Sequence, residues 1–256
     1  MDENTYFETV LGGLNPDWFI ESSNIKHAKY INDVIRFMSK KTQISYHKIL
    51  DVPCGYGRLE KLLRGYGYEI IGVDINQHYI KEAKRNDREY ANNYIRQDMR
   101  FLSLEKKFDV VLQWCASFGY YDDSENQTIL NNFSKHLNKG GILFLDFPNK
   151  QQWIKQTDPR NWSVMDLKTA LKLVNSRIVK KGKRTFEIST VQVYKKVGKN
   201  LILKKATKHN FRLYTKREML TMLNKAGFIL KYQFSSRTFQ KPKISESRSI
   251  LICVKR

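Results

Sequence analysis

The 256-residue sequence contains few cysteines and no long apolar segment. Cys54, Cys115 and Cys253 are not in C-x-x-C spacing, so we expect neither a disulfide framework nor a zinc site, and no other metal site. Such sparse cysteine usage suits the reducing cytoplasm, where we expect the protein. The longest apolar run, ILFLDF, is too short to cross a bilayer. The N-terminal residues lack the basic and apolar regions of a signal peptide.

Acidic residues are scarce in the last two-fifths of the chain. Residues 150–256 contain 27 Lys and Arg but only 5 Asp and Glu, a net charge of +22, whereas residues 1–149 have a net charge of −1. An excess of one sign predicts attraction to an anionic partner. The alternative is a lysine-rich surface that is merely solvated. Composition leaves both interpretations open.

Residues 48–76 have the pattern of a nucleotide-binding βαβ unit. The apolar, β-branched residues before Asp51 predict a buried strand, and Gly55 and Gly57 predict a sharp turn that a ligand can approach closely. A helix and a second strand follow, and that strand ends at Asp74, 19 residues after Gly55. At about this spacing an acidic side chain meets the ribose hydroxyls of a bound nucleotide.

The turn lacks the third glycine of a dinucleotide fingerprint, because Glu60 stands three residues after Gly57. A carboxylate so near the turn is a poor neighbour for a diphosphate, and no G-K-[ST] follows for a P-loop. A nucleotide-dependent oxidoreductase is therefore disfavoured.

The string D-x-P-C-G-x-G-R at residues 51–58 instead resembles motif I of the class I S-adenosylmethionine (SAM)-dependent methyltransferases. It is closest to the branch written L-D-x-P-C-G-x-G-R, although most of the family has glycine where Pro53 stands. Three later strings are also similar to this family: FDVVLQW-x-x-SFGYYDD, LNKGGILFLDFPN and YTKREMLTMLNKAGF. The resemblance spans about residues 45–150 and 205–256, and it is weakest at the N-terminus and in the segment between these ranges.

The resemblance implies that SAM is the cofactor and that Asp98 and Met99 receive the adenine. Ligands of open parallel sheets bind beyond the carboxyl ends of the strands, which adds the residues after the fourth strand. The expected SAM-binding residues are Asp51, Pro53, Cys54, Gly55, Gly57, Arg58, Asp74, Ile75, Asp98, Met99, Gln113, Trp114 and Ser117.

The order of elements predicts an α/β fold with a doubly wound, Rossmann-like, mostly parallel seven-stranded sheet. Its last strand is expected to be antiparallel, and a small β insertion should follow strand five. We expect a single methyltransferase domain over residues 1–256. Its parts are a helical lid (1–47), a SAM-binding core (48–149), a β-rich substrate-cover insertion (150–214), and a helix and hairpin completing the sheet (215–256).

Several local signals refine this arrangement. Within the insertion we expect a loose polar stretch and then two strands, 186–197 and 201–214, that lean on the main sheet. Asn76 is expected to cap one helix, and Asp123 or Ser124 another that stops at Gly140–Gly141. Thr215 and Glu218 form the pattern of a capping box. In the resembled family the leading segment is a lid, so Trp18 is a lid candidate or a packing anchor.

Methyl transfer from SAM mainly requires an acceptor held in line with a free lone pair, so no sharp catalytic motif is needed and none is assigned. Tyr120, His209 and Arg212 are the expected acceptor contacts. A base is needed only if the acceptor has a proton at neutral pH. The candidate bases are His209, Tyr120, Tyr121 and Asp146, although residues of these types are more often structural.

Four functions remain open from the sequence. The favoured one, by a narrow margin, is methyl transfer to N or O of a small-molecule acceptor, which the basic residues would suit if it is anionic. The basic half favours an alternative, an RNA or other macromolecular methyltransferase, but QWCASFGY replaces the N-P-P-Y signature of enzymes that methylate base amines. The oxidoreductase is third. The fourth, outside the enzymes, is a SAM-binding scaffold or regulator.

Overall fold

The computed structural model describes residues 21–167, 169–236 and 238–256. The lid candidate Trp18 lies outside these residues. The first part of the described chain alternates helices and strands: α1 (Glu21–Thr42), β1 (Lys48–Asp51), α2 (Glu60–Arg64), β2 (Glu69–Asp74), α3 (Gln77–Asn86), β3 (Tyr94–Arg96), β4 (Phe108–Gln113), α4 (Asp123–His136) and β5 (Leu137–Pro148). The remaining elements are α5 (Lys150–Gln156), β6 (Ser163–Asp166), β7 (Ala170–Lys181), β8 (Arg184–Val197), β9 (Asn200–Arg212), α6 (Lys216–Lys225), β10 (Phe228–Ser235) and β11 (Arg248–Lys255).

Seven strands form the main sheet in the order β10-β11-β5-β4-β1-β2-β3. The strands β1 to β5 pair in parallel, and β11 runs antiparallel to both of its neighbours. This confirms the predicted doubly wound sheet with an antiparallel last strand. The strand order reverses between β1 and β4, and such a switch point leaves a crevice at the carboxyl ends of the strands.

Helices cover both faces of this sheet because each has one apolar stripe. On α1 the stripe includes Ile31, Val34 and Ile35, which pack with strand residues such as Val110 on one face. On the other face α4 and α6 bury residues such as Phe133 against the strands. None of the described helices is both long enough and apolar enough to span a bilayer.

The insertion after β5 is larger than expected. Instead of two strands leaning on the main sheet, β6 to β9 form a separate antiparallel sheet in that order. The missed strand β7 pairs with β8 from Ala170 opposite Lys195 to Lys181 opposite Arg184. Sequence reasoning missed β7 because polar residues such as Lys172 and Ser176 occupy its inward positions and hide the usual alternation. The predicted turn between Val197 and Asn200 joins β8 to β9.

Two predicted helix ends are wrong by a few residues. The residue that caps α4 is Asp122, which forms a capping box with Glu125, and not Asp123 or Ser124. This helix ends before Leu137, because Leu137 already pairs with Phe108 as the first residue of β5. The Asn76 cap of α3 and the capping box of α6 are present as predicted.

Candidate active site

The turn after β1 is built on two glycines with positive φ, +59° at Gly55 and +76° at Gly57. A Cβ on Gly57 would lie 2.9 Å from the ring of Tyr94, so only glycine fits there. A Cβ on Gly55 would meet no atom within 4 Å, because this part of the backbone borders open space. The backbone of the turn at Gly55 is therefore open to close approach by a ligand.

The carboxylate of Asp74 connects this turn to the start of α3. Its Oδ2 accepts a hydrogen bond from the Gly55 N–H at 2.9 Å, and its Oδ1 accepts one from the Asn76 N–H at 2.8 Å. Burial raises the pKa of Asp74 to about 6. At neutral pH the side chain is therefore mostly ionised, and it lies in the wall of a cavity.

That cavity is narrow and opens at the carboxyl ends of β1, β2 and β4. Its wall combines apolar, aromatic and polar side chains: Val52, Pro53, Val73, Asp74, Ile75, Asn76, Tyr79, Gln97, Met99, Ser117, Tyr120 and Tyr121. The structure thus brings together Pro53, Asp74, Ile75, Met99 and Ser117 of the predicted SAM-binding residues, and Tyr120 of the predicted acceptor contacts.

Sequence reasoning missed Asn76, Tyr79 and Gln97 as members of this wall. The signal was present, because Asn76 caps α3, Tyr79 lies in its first turn and Gln97 follows β3. These positions border the carboxyl edge of the sheet, where ligands of this architecture bind.

Several buried polar side chains beside the turn, Gln113 and Asp51 among them, have atoms without a hydrogen-bond partner among the described residues. Gln113, at the end of β4, is 0% exposed, and neither its amide oxygen nor its amide nitrogen has a hydrogen-bond partner. The Oδ1 atom of Asp51 lacks one as well. Since buried polar groups are nearly always paired in proteins, these atoms point to a polar ligand.

The sequence pattern of the methyltransferase-domain family matches residues 49–141, which include the glycine turn, Asp74 and the loop after β4. Residues 49–141 are therefore similar to a methyltransferase domain, and the chain shares its fold with solved SAM-dependent methyltransferases. This similarity supports the predicted resemblance, and the cofactor that it implies is SAM.

The proteins that are similar to this chain differ in how much of it they match. Over 141 residues it is 27% identical to the ubiquinone biosynthesis O-methyltransferase of Coxiella burnetii, which covers 54% of this chain and 59% of that protein. The chain thus spans less than two thirds of that relative's length. The CcbJ methyltransferase of Streptomyces caelestis is 16% identical with a TM-score of 0.78 over 100% of both chains. The sugar N-methyltransferase KedS8 of Streptoalloteichus is 18% identical with a TM-score of 0.68 over 90% of this chain and 87% of that chain. At these identities the two solved structures share the fold.

The residues of the site fit SAM. Asp74 has the position and charge to meet ribose hydroxyls, and Met99 and Ile75 offer apolar contacts for a base. The open space beside the Gly55 backbone leaves room for a ligand to approach closely. Asp98 lies beside Met99, where Arg100 holds its carboxylate at 2.7 Å. Its contact with adenine remains a proposal.

Two carboxyl groups lie under the turn after β1. Glu60 is fully buried, with Oε2 accepting from the Leu59 N–H at 3.1 Å, and it faces β2 so closely that a Cβ on Gly72 would lie 2.9 Å from Oε1. Burial raises the pKa of Glu60 to about 7. Burial, and then the charge of Glu60, raise the pKa of Asp51 well above its usual range.

Arg58 links the turn to α1 and does not line the cavity. Its guanidinium donates to Asn24 Oδ1 at 3.0 Å and to Cys115 Sγ at 2.9 Å, and it lies 3.3 Å from His27 Nδ1. Burial, and then the charge of Arg58, lower the pKa of His27 to about 4. Arg58 therefore fixes the first described helix over the motif I turn.

Two predicted SAM-binding side chains face away from the cavity. Cys54 packs with Ile80, Ala83 and Tyr94 behind the turn, and burial raises the pKa of its thiol. Trp114 faces α1 and contacts the rings of three residues there and on β5: His27, Tyr30 and Phe144. The structure corrects both predictions, because packing behind the turn and under α1 occupies these side chains.

Aromatic contacts connect the cavity to the inner face of the four-stranded sheet. The ring centroid of Tyr120 lies 5.3 Å from that of Phe211 and 6.5 Å from that of His209, both on β9. Burial, and then the charge of Lys172, lower the pKa of His209 to about 4. Lys172, on β7, is 5% exposed, and burial lowers its pKa to about 8. Sequence reasoning identified His209 but missed Lys172, since β7 itself was missed.

Arg212 lies elsewhere. It is 3% exposed and donates to Asp123 Oδ1 at 3.1 Å and to Glu218 Oε1 at 2.5 Å, which ties the end of β9 to α4 and α6. These buried ion pairs correct the prediction that Arg212 contacts the acceptor.

A second cavity, of about 440 Å³, lies between α5, the four-stranded sheet and β11. Trp153 borders it, donates from Nε1 to Glu187 Oε2 at 3.0 Å and stacks on Phe211. Arg248 also borders it and lies 3.2 Å from Oδ2 of Asp146, whose pKa burial raises to about 6. Across the described ranges, no three His, Cys, Asp or Glu side chains converge on a common metal position.

Proposed function

We propose that this methyltransferase transfers the methyl group of SAM to N or O of a small-molecule acceptor. The observation that supports this most is the second cavity, whose volume of about 440 Å³ suits a small ligand. Trp153 stacks on Phe211, and Phe211 meets Tyr120 edge to face, so these rings lie between this cavity and the one bordered by Asp74. We propose that the acceptor lies in this cavity with its reacting atom near Tyr120.

The residues around the second cavity and Tyr120 would act mainly by positioning the acceptor. SAM supplies an activated methyl group, so the protein needs to hold the acceptor and exclude water. Such positioning can supply roughly 7–11 kcal/mol of the barrier. Tyr120 is half-buried beside Phe211 and His209, and its ring face can attract positive charge by about 0.5–2 kcal/mol.

Lys172, on the inner face of the four-stranded sheet, supports an anionic group on the acceptor, whereas the charged residues that line the second cavity itself are Asp158, Glu187 and Arg248. Lys172 has a pKa of about 8 and is mostly protonated at neutral pH, whereas His209, with a pKa of about 4, is neutral. A buried lysine on the sheet face toward Tyr120 suits a carboxylate or a phosphate ester.

The names of relatives support N or O as the acceptor atom. One relative is named an O-methyltransferase of ubiquinone biosynthesis, and one solved structure is titled a sugar N-methyltransferase. Both names refer to small acceptors.

The second candidate is an RNA methyltransferase, which one observation favours. Lysines of the insertion such as Lys195, Lys199, Lys204 and Lys208 are exposed to solvent. These side chains lie on the outer part of the insertion and not in either cavity, so they support an anionic contact more than a base-reading pocket. A SAM-binding scaffold would also have these features but would not turn over.

Incubation of the full chain with methyl-labelled SAM and either a metabolite extract or total RNA would test the proposal. We expect label in the metabolite fraction, with a log–log dependence of turnover on salt of about one or less. An RNA acceptor should give a slope of several units, since each phosphate contact contributes about −0.7. Label confined to nuclease-sensitive material would contradict the proposal. Absence of transfer to either fraction, with SAM bound, would favour the scaffold.

A further inference from the structure

The end of the β8–β9 hairpin exposes aliphatic side chains to solvent. We define the hairpin tip as residues 195–205, KKVGKNLILKK. The exposed fractions are 45% at Val197, 50% at Leu201, 44% at Ile202 and 50% at Leu203. Within the part of the chain that the structure describes, no other three consecutive large apolar residues are exposed. Single exposed aliphatic residues are normal on protein surfaces, whereas a cluster indicates a contact.

The exposure follows from the sheet topology. A strand with one covered face would bury every second side chain, but Leu201, Ile202 and Leu203 are all exposed. The strand β9 is at the edge of its sheet, and β7 pairs with β8 only as far as Ala170 opposite Lys195. Residues 197–203 of the tip thus project beyond β7, and among the described residues no strand pairs with the outer edge of β9.

Lysines surround these aliphatic side chains. The hairpin tip has five of them and no acidic residue: Lys195, Lys196, Lys199, Lys204 and Lys205. Lys196 pairs with Asp166 on β6, which is the acidic partner that the structure gives the tip. In the strand register Lys195 lies opposite Ile202 and Lys196 opposite Leu201, so each of these lysines faces an aliphatic residue across the hairpin.

We propose that the hairpin tip docks the protein on a lipid bilayer with anionic headgroups. The aliphatic side chains would enter the interface, and the lysine stems would lie along it with their ammonium groups at the phosphates. Juxtaposed lysines and aliphatic residues match this surface in both charge and polarity, because anionic lipids attract each nearby lysine. The inference concerns a surface outside both cavities and does not depend on the identity of the acceptor.

Two other occupants match the tip less well. Pairing of β9 with a second copy would bring lysine-rich edges together, and edge lysines are a device that opposes such pairing. Single-stranded RNA is held by stacking on aromatic rings, whereas Val197, Leu201, Ile202 and Leu203 are aliphatic.

Co-sedimentation of the full chain with phosphatidylcholine vesicles, with and without phosphatidylglycerol, tests the proposal. We expect binding only to the phosphatidylglycerol vesicles. The triple variant K195Q/K199Q/K204Q should lower partitioning by about 100-fold, since each lysine near an anionic surface contributes roughly fivefold. The variant L201S/I202S/L203S keeps all the lysines, and its partitioning to the vesicles should still fall by at least about tenfold.

The β7–β8 turn supplies a matched control. Lys180, Lys181 and Lys183 give that end of the sheet a similar charge, but among its described residues no large apolar side chain is exposed. The variant K180Q/K181Q/K183Q should therefore retain most of the vesicle binding. Thermal unfolding and SAM titration of each variant show whether it is folded.

The alternative outcomes each overturn the proposal. Equal losses in the two lysine variants would mean that the whole sheet acts as a diffuse charge. Unchanged vesicle binding in the serine variant would exclude insertion of the aliphatic residues. No vesicle binding by a folded native chain, or a dimer that the serine variant dissociates, would assign the tip to another contact.

Discussion

At the scale of single residues, three buried carboxyl groups give the turn after β1 an unusual electrostatic environment. Asp51 and Glu60 lie under the turn, and Asp74 closes its open side. Burial raises the pKa of each of the three. Of these, Asp74 borders the cavity, whereas Glu60 lies beneath β2. We therefore expect Asp74 to affect binding and Glu60 to affect stability.

Replacement of Glu60 by glutamine should stabilise the protein at alkaline pH. The pKa of Glu60 rises from 4.5 to about 7 on folding, so its contribution to stability is complete below about pH 4.5 and is lost as the pH rises through about 7. A glutamine side chain at this position would have no such loss while keeping an acceptor for the Leu59 N–H. At about pH 8 we expect E60Q to exceed the native protein by roughly 1–3 kcal/mol in free energy of unfolding.

Urea unfolding at about pH 5 and about pH 8 measures this difference, which should be small at the lower pH. The exposed Glu105 gives a control, since E105Q should change little at either pH. An E60Q variant that is less stable than the native protein at both pH values would show that Glu60 is ionised and paired when folded.

Single residues also show how far sequence reasoning reached into the site. Pro53, Asp74, Ile75, Met99 and Ser117 were predictable, because position at the carboxyl end of a parallel strand determines which residues meet the cavity. The directions of the Cys54 and Trp114 side chains were not predictable. Those directions depend on α1 and α3, which contact them from parts of the chain with no readable motif.

At the scale of elements, Arg212 joins the insertion to the main domain. It pairs with Asp123 of α4 and Glu218 of α6 from the end of β9. We expect R212M to lower the free energy of unfolding by about 2 kcal/mol, because it leaves two partly buried carboxylates without their cation. SAM affinity should be unchanged.

Arg184 provides the matched control, since it pairs with the same Asp123 at 2.9 Å but its side chain is 58% exposed. We expect R184M to lower the free energy of unfolding by less than about 1 kcal/mol. Thermal unfolding and SAM calorimetry measure both variants. If R212M unfolded like the native protein but raised KM for the acceptor, Arg212 would contact the acceptor after all.

The insertion shows why some elements could not be predicted. The strand β8 alternates apolar and polar residues, with Val191 and Val193 buried, and this pattern was visible. On β7 the matching inward positions include Lys172 and Ser176, which an exposed strand or a loop could also contain. A polar inward face is expected where a sheet covers a ligand, so the same residues that form the cleft hid the strand.

At the scale of the whole molecule, the alternation of helices and strands and the four motif strings were sufficient to predict the main sheet. Its order, with the reversal between β1 and β4, places the ends of β1, β2 and β4 around one crevice. The large positive charge of the second half follows a different pattern, because it lies mainly on exposed lysines of the insertion and not in the crevice. The proposed nucleoside site and the proposed anionic contact therefore lie on separate surfaces.

The central claim, that the crevice binds SAM through Asp74, is tested most directly by calorimetric titration of the full chain with SAM and with its demethylated product. We predict one site for both ligands, and an affinity for SAM that D74N lowers roughly tenfold to over a hundredfold, since a charged hydrogen bond contributes about 1.5–3 kcal/mol. D109N is the control, because Asp109 binds the N–H groups of His47 and Lys48 at the opposite edge of the sheet. Native affinity should also fall as the pH drops below about 6, where Asp74 is protonated. No binding by the native chain, or equal affinities in D74N and the native chain, would contradict the account.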